Sequence, residues 1–263
     1  MPTTTTTATA LDLPSVRIFG VTVSGFLEDQ LNEYIRQSSE EHRKCIVANV
    51  NIHALNLAFT DPRFRSFLQR SDYVFCDGHG VVVSARLLGS KIPPRITYAD
   101  WLPRFARFCA AEGLSIFLLG GRAGIAETAA DKLKGEATGL RVAGTFHGYF
   151  DRTRNSPGSL QAIERINATK PDILIVCMGM PLQEYWIEDH WADIQATVAL
   201  TGGAALDYVS GNLRRPPQWL TDHGMEWLGR LAIEPGRLAN RYIVGLPLFF
   251  LRLAASTIRT WWQ

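Results

Sequence analysis

Short apolar runs recur along the chain, most stopping abruptly at glycine, asparagine or aspartate, and helix-like stretches separate them. The clearest run, residues 173–178, lies within PDILIVCMGMPLQEYW (residues 171–186) and ends at Gly179-Met180-Pro181. An apolar run of this kind predicts a strand buried on both faces. Similar runs occupy residues 44–50 (KCIVANV), 72–76 (DYVFC), 114–119 (LSIFLL), 140–145 and 196–201 (ATVALT). Helices are predicted through Ala54, Leu55, Leu57 and Ala58, over 81–88, over 98–112 and over 125–134. Gly113 is placed to end the third of these. The alternation predicts an α/β fold: a Rossmann-like, mainly parallel sheet with helices on both faces.

After Gly211 no strand pattern returns. Residues 212–263 interleave arginines with apolar and aromatic residues, predicting a C-terminal helical appendage broken at Pro235 and Pro247. Three regions follow. Residues 1–15 form a Thr- and Ala-rich lead-in expected to be disordered, 16–211 a Rossmann-like catalytic domain, and 212–263 an arginine-rich appendage.

Composition changes this picture little. The chain has 263 residues, enough to bury a sizeable core, and its net charge of +2 gives no bulk electrostatic argument for nucleic acid. Cys45, Cys76, Cys109 and Cys177 are far apart and show no zinc-ligand spacing, so buried free thiols in a reducing compartment are expected. The N-terminus lacks a charged segment followed by an apolar one, and no 18-residue uncharged apolar stretch occurs. A cytoplasmic location without a membrane span is the expectation.

Candidate chemistry gathers at the strand ends, which a doubly wound sheet brings to one edge. They carry Asn49 and Asn51, Asp77-Gly78, Gly120-Gly121, and Gly179 with Gln183 and Glu184. Asp77 is poised to act as a general base, although an Asp-Gly turn uses the same two residues. GGRAG at 120–124 reads either as a phosphate-binding turn or as a tight turn into a helix. Glu184 suits the first turn of a helix as well as a ligand edge. His79 either joins Asp77 or simply starts a helix. The chain lacks a GxSxG elbow, a Walker loop and an Asp-x-Asp pair. Phosphate charge would then fall to backbone amides and arginines, and no metal or cofactor is expected.

Several of these segments, in order, resemble the WecG/TagA/CpsF family of bacterial glycosyltransferases. They are VANVNIHAL, DGHGVV, PPRITYADW, FLLGGRAG, FHGYF, GMPLQEYW, GGAALDYVSGNLRRPP and MEWLGRLAIEPGRLANRY, together spanning roughly residues 45–242. The resemblance implies an inverting transfer from a UDP-sugar to a lipid-diphosphate-linked acceptor at the cytoplasmic face of the cell membrane, for surface polysaccharide. It implies Asp77 as general base, Arg95 against the diphosphate, and Gln183 and Glu184 facing the donor. Arg215, Arg230, Arg237 and Arg241 would belong to an appendage closing over the site. Three positions depart from the family pattern. Val47 stands where many members have threonine, Leu182 replaces the lysine of Pro-Lys-Gln-Glu, and Tyr98-Ala99-Asp100-Trp101 replaces Gly-x-Asp-Leu. These changes leave the donor sugar open between N-acetylmannosamine, glucose and others.

The tail has two readings. Residues 242–251 are apolar for too short a distance to span a bilayer, and Arg237, Arg241, Arg252 and Arg259 with Trp261 and Trp262 suit a helix lying in the membrane interface. The other reading is a helix packed on the core with its arginines solvated. Among whole-protein alternatives, a nicotinamide dehydrogenase lacks its GxGxxG and following acid in order. A non-catalytic nucleotide-sugar-binding protein at the membrane surface stays open, as does a homo-oligomer.

Overall fold

A computed structural model describes residues 11–222 and 225–261, and in it the apolar runs are the strands of one sheet. The chain opens with a hairpin of β1 (Ser15–Ile18) and β2 (Val21–Ser24), then α1 (Glu28–Glu40), β3 (Cys45–Val50), α2 (Ile52–Thr60) and α3 (Pro62–Arg70). Next come β4 (Tyr73–Cys76), α4 (His79–Leu87), α5 (Tyr98–Ala111), β5 (Ser115–Gly120) and α6 (Ile125–Glu136). β6 (Arg141–Phe146), α7 (Pro157–Thr169), β7 (Ile173–Cys177), α8 (Leu182–His190), β8 (Val198–Thr201) and α9 (Ala205–Ser210) complete the sheet and its layers. The C-terminal part is helical: α10 (Gln218–Asp222), α11 (Glu226–Ile233), α12 (Pro235–Ala239) and α13 (Gly245–Trp261).

The eight strands lie in the order β1-β2-β4-β3-β8-β7-β5-β6, and every neighbouring pair except β1–β2 is parallel. The fold is therefore α/β and Rossmann-like, as the alternation predicts. Alternation along each inner strand divides the core into two layers. In β5, Phe117 and Leu119 pack with α7 and α8, whereas Ile116 and Leu118 pack with α5 and α6. Helix starts follow local chemistry: Asp61 accepts from the N–H groups of Arg63 and Phe64 ahead of Pro62, and Ser156 accepts from Ser159 ahead of Pro157. The four cysteines are buried free thiols.

Two features depart from the sequence expectation. The β1–β2 hairpin turns at Phe19-Gly20, both at positive φ (50° and 82°), and lacks the Asn-Gly or Asp-Gly pair that marks such turns. Pro247 does not break a helix. It is the third residue of α13, where a missing N–H is tolerated, and a wide turn over Asn240–Val244 precedes it, with Gly245 N–H donating to the Asn240 carbonyl. Pro235 does separate two helices, sitting at the start of α12.

α13 returns to the sheet layers. Phe249 and Leu253 are buried in the core with α2 and α3, and Asn56 Nδ2 donates to the Gly245 carbonyl at 2.6 Å. Arg252 donates to Asn56 Oδ1 at 2.9 Å and lies over the Phe59 ring. The opposite side exposes Leu248 and Leu251, and the turn before it exposes Ile243 and Val244. The tail thus combines a core-packed edge with an open apolar one. No helix among the described residues is long and apolar enough to cross a membrane.

Candidate active site

The helices after the neighbouring strands β3 and β8 lie on opposite faces of the sheet: α2 packs in one layer and α9 in the other. The carboxyl ends of these strands are left open between them, the place where open α/β sheets bind ligands. A surface hollow of about 580 Å³ lies elsewhere, beside Ser115 and Asp172 at the amino-terminal ends of β5 and β7. Its lining includes the charged ends Lys134, Arg141 and Lys170, but the strand-end residues singled out above are all at the other edge.

Three adjacent strands carry a chain of hydrogen bonds to Asp77. Thr201, ending β8, donates its hydroxyl to Asn49 Oδ1 at 2.9 Å and accepts the Asn49 N–H at 2.9 Å. Asn49 Nδ2 in turn donates to Asp77 Oδ2 at 2.9 Å. Thr201 and Asn49 are buried, so the amide oxygen is held on the threonine and its NH₂ on the carboxylate. The Asp77 N–H is fixed by the Val50 carbonyl at 2.9 Å. Asp77 keeps some solvent contact, but the protein packed around its carboxyl pushes its pKa up to about 7. Glu226 adds to that rise, while Arg230, Arg95 and the N–H of Tyr98 oppose it. A carboxyl poised near 7 suits a general base at neutral pH.

The two arginines come from separate elements. Arg95 sits in the loop before α5, which is pinned to β4 where Ile96 N–H meets the Cys76 carbonyl at 2.8 Å. Arg230 comes from α11, and its Nε donates to the Tyr208 hydroxyl at 2.6 Å. Between them stands Glu226, with Oε2 2.8 Å from Arg95 Nη2 and Oε1 3.9 Å from Arg230 Nη1. The first contact is an ion pair not aligned as a hydrogen bond. Nearby, Asp100 in the first turn of α5 takes both nitrogens of Arg215 at 2.6 and 2.9 Å, tying α5 to the segment after α9.

Other expected residues hold the scaffold. Asn51 caps α2, its Oδ1 accepting from His53 and Ala54 N–H. Gly78 caps α4, where an added Cβ would come 2.9 Å from that of Asn51. Gly120, at φ 153°, lets β5 close onto β7: a Cβ there would lie 2.2 Å from the Cys177 carbonyl oxygen. The Gly121 N–H donates to that same oxygen at 3.2 Å, so this amide is already engaged. Gln183 and Glu184 are fully buried. Gln183 Oε1 accepts from the N–H groups of Gly179 (3.2 Å) and Gly203 (3.0 Å), and its Nε2 donates to Glu184 Oε1 at 2.8 Å. The pair locks the loops after β7 and β8 together from inside. Burial pushes the Glu184 carboxyl up to about 8.

His79 is exposed at the start of α4, the helix-start reading of the sequence. Arg241 lies over the Tyr242 ring and helps hold the half-buried His53 imidazole down to about 4, after burial itself. The side chains of Arg237, Arg259 and Trp261, and all of Trp262, lie outside the described residues.

Sequence reasoning missed Thr201, Tyr208 and Glu226. Thr201 had a legible signal, a hydroxyl closing the apolar run ATVALT ahead of Gly-Gly; the other two depend on how α9 and α11 fold back.

The sequence profile of the Glycosyl transferase WecG/TagA/CpsF family matches residues 16–263. Among curated relatives, an N-acetylglucosaminyldiphosphoundecaprenol N-acetyl-beta-D-mannosaminyltransferase of Bacillus subtilis is 28% identical over 193 residues, 73% of each chain. Proteins of the same name from Bacillus spizizenii (24% identical, 81% of this chain and 82% of that one) and Staphylococcus aureus (25%, 92% of each) are also similar.

Proposed function

The chain belongs to the WecG/TagA/CpsF family of glycosyltransferases, and on that premise we propose that it moves a sugar from a UDP-sugar to a lipid-diphosphate-linked acceptor with inversion at the anomeric carbon. The observation that carries this reading is Asp77, held by Asn49 beside two guanidinium groups at the open sheet edge. In a single displacement Asp77 takes the proton of the acceptor hydroxyl. That oxygen bonds to the anomeric carbon as the bond to the diphosphate breaks. Arg95 and Arg230 stabilise the charge that develops on the leaving diphosphate, where fixed positive groups contribute most.

The acceptor class is inferred from the names of the relatives. The donor sugar stays open on this chain's own residues, because Val47 is a core residue and Leu182 an exposed one at positions where the family pattern is polar. We place the protein at the inner face of the cell membrane as a peripheral protein. The exposed apolar edge of Ile243, Val244, Leu248 and Leu251 supports that reading.

The test is transfer from a panel of radiolabelled UDP-sugars to a lipid-diphosphate acceptor, with the product's anomeric configuration read by NMR. Asp77→Asn should lower turnover by about 10²-fold or more with little change in UDP binding. Near-wild-type turnover of that variant would remove Asp77 from the mechanism. UDP binding without product from any donor would favour a nucleotide-sugar-binding protein instead.

A further inference from the structure

Glu226 is the group at this site that the transfer reaction leaves without a role. Its carboxylate is divided between two cations, Arg95 at 2.8 Å on one oxygen and Arg230 at 3.9 Å on the other. A pair built for stability would engage one guanidinium with both oxygens, as Asp100 does with Arg215. All three side chains in the Glu226 cluster are largely buried, so neither arginine can be left without an anion cheaply. The carboxylate also stands close enough to Asp77 to favour its protonated form, a like-charge neighbour that folding alone would avoid. Two guanidiniums from separate elements, bridged loosely by one negative group, form a seat wider and more positive than a single carboxylate fills. A diphosphate carries more charge and more oxygens across the same gap.

We propose that Glu226 is the resident counter-anion of a diphosphate seat formed by Arg95 and Arg230, and that the diphosphate of the donor binds by displacing it. This deepens the transferase reading and rests on it. In the empty protein Glu226 keeps the arginines aimed at one another. When the diphosphate arrives it takes both arginines, and the carboxylate turns away from them. When the diphosphate leaves, Glu226 returns, so product release is helped by an internal competitor. The same competition disfavours a nucleoside monophosphate, which spans the seat poorly and brings less charge to dislodge the carboxylate.

The experiment is calorimetric titration of UDP, UMP and inorganic pyrophosphate into the full chain, wild type, Glu226→Gln and Glu226→Asp. Glu226→Gln should bind UDP and pyrophosphate about tenfold tighter, since the ligand no longer competes with a buried ion pair. Glu226→Asp, whose charge is drawn back by one methylene, should fall between. Thermal melts should show a larger UDP-induced rise for Glu226→Gln than for the wild type, even where the unliganded variant melts lower. Equal or weaker UDP and pyrophosphate binding by Glu226→Gln would overturn the proposal, because a carboxylate that builds the seat gives that sign. If Glu226→Gln fails to fold, Glu226→Asp decides, and no gain there overturns the proposal as well. Pyrophosphate binding that tightens in the variants without any UDP binding would leave the seat standing and overturn the nucleotide-sugar reading. No binding of either ligand to any of the three proteins would overturn both.

Discussion

Thr201→Val tests whether the strand-end hydrogen bonds set the chemistry of Asp77. Valine fills the shape of threonine but removes the hydroxyl that both accepts the Asn49 N–H and donates to Asn49 Oδ1. Both partners are buried, so a donor and an acceptor are left unpaired. Each such group costs about 1–3 kcal/mol, which puts the loss at roughly 2–6 kcal/mol. That is a large fraction of the ~5–15 kcal/mol that holds a domain folded. The Asn49 amide, no longer pinned, can turn its oxygen toward Asp77 and repel the ionised base. Turnover should then fall by about tenfold or more, on the scale of a lost catalytic contact. Thr201→Ser is the control: it keeps the hydroxyl and gives up one buried methyl, about 1 kcal/mol. Urea unfolding and transfer kinetics on both variants provide the readouts. A Thr201→Val protein within about 0.5 kcal/mol of wild type, with unchanged turnover, would show that the hydrogen bonds do not matter.

Three further outcomes are expected. With its pKa raised to about 7, Asp77 is protonated and idle below that value, so kcat/KM should climb as pH rises through about 7 and level off above it; a flat profile from pH 5.5 to 9 would contradict the assignment. Glu184 has a folded pKa of about 8 against 4.5 unfolded, so between these values only the folded state holds its proton and stability falls as pH rises. Glu184→Gln should therefore lose less stability than wild type between pH 5 and pH 8 in urea titrations, and parallel losses would refute the shift. Replacing Ile243 and Leu251 together by glutamate should weaken sedimentation with anionic liposomes by about tenfold without lowering the melting temperature, since both side chains are exposed. Unchanged binding would rule out this edge as the contact.

The inner strands β3, β4, β5, β7 and β8 were legible because strands buried on both faces read as unbroken apolar runs; these five and the half-exposed edge strand β6 were predicted within two residues of where they lie. The β1–β2 hairpin was not, since its strands have four residues each and its turn is Phe-Gly. At the site, Asn49 and Asp77 stood out as polar residues at strand ends, Asn49 within the last two residues of one run and Asp77 just after another. The glycines and Gln183 also serve the scaffold, for a shared physical reason. A residue without Cβ permits close approach of any backbone, and at Gly120 that backbone is β7. A buried amide side chain at a strand end satisfies loop N–H groups just as it would satisfy a ligand, and Gln183 does so for Gly179 and Gly203. Sequence order could indicate which residues share an edge, but not which of their polar groups are already taken.

That distinction bears on where the positive charge used in the proposed reaction comes from. The Gly121, Gly179 and Gly203 amides are engaged inside the fold, so the proposed reaction draws on arginines rather than on these amides. The cations that act on Asp77 are Arg230 and Arg95, and the first belongs to α11 rather than to the sheet. The proposed chemistry at the sheet edge therefore depends on the docking of α11. That helix is held by Arg230 on Tyr208 and by Glu226 on Arg95, and it exposes Trp227 and Leu228 on its outer side. It continues through α12 into α13, whose own outer edge is apolar. A surface that engages lipid through α13 would act on the same helical segment that delivers Arg230. In the proposed reaction, contact with the membrane and placement of Arg230 at the diphosphate would thus be joined in one stretch of chain.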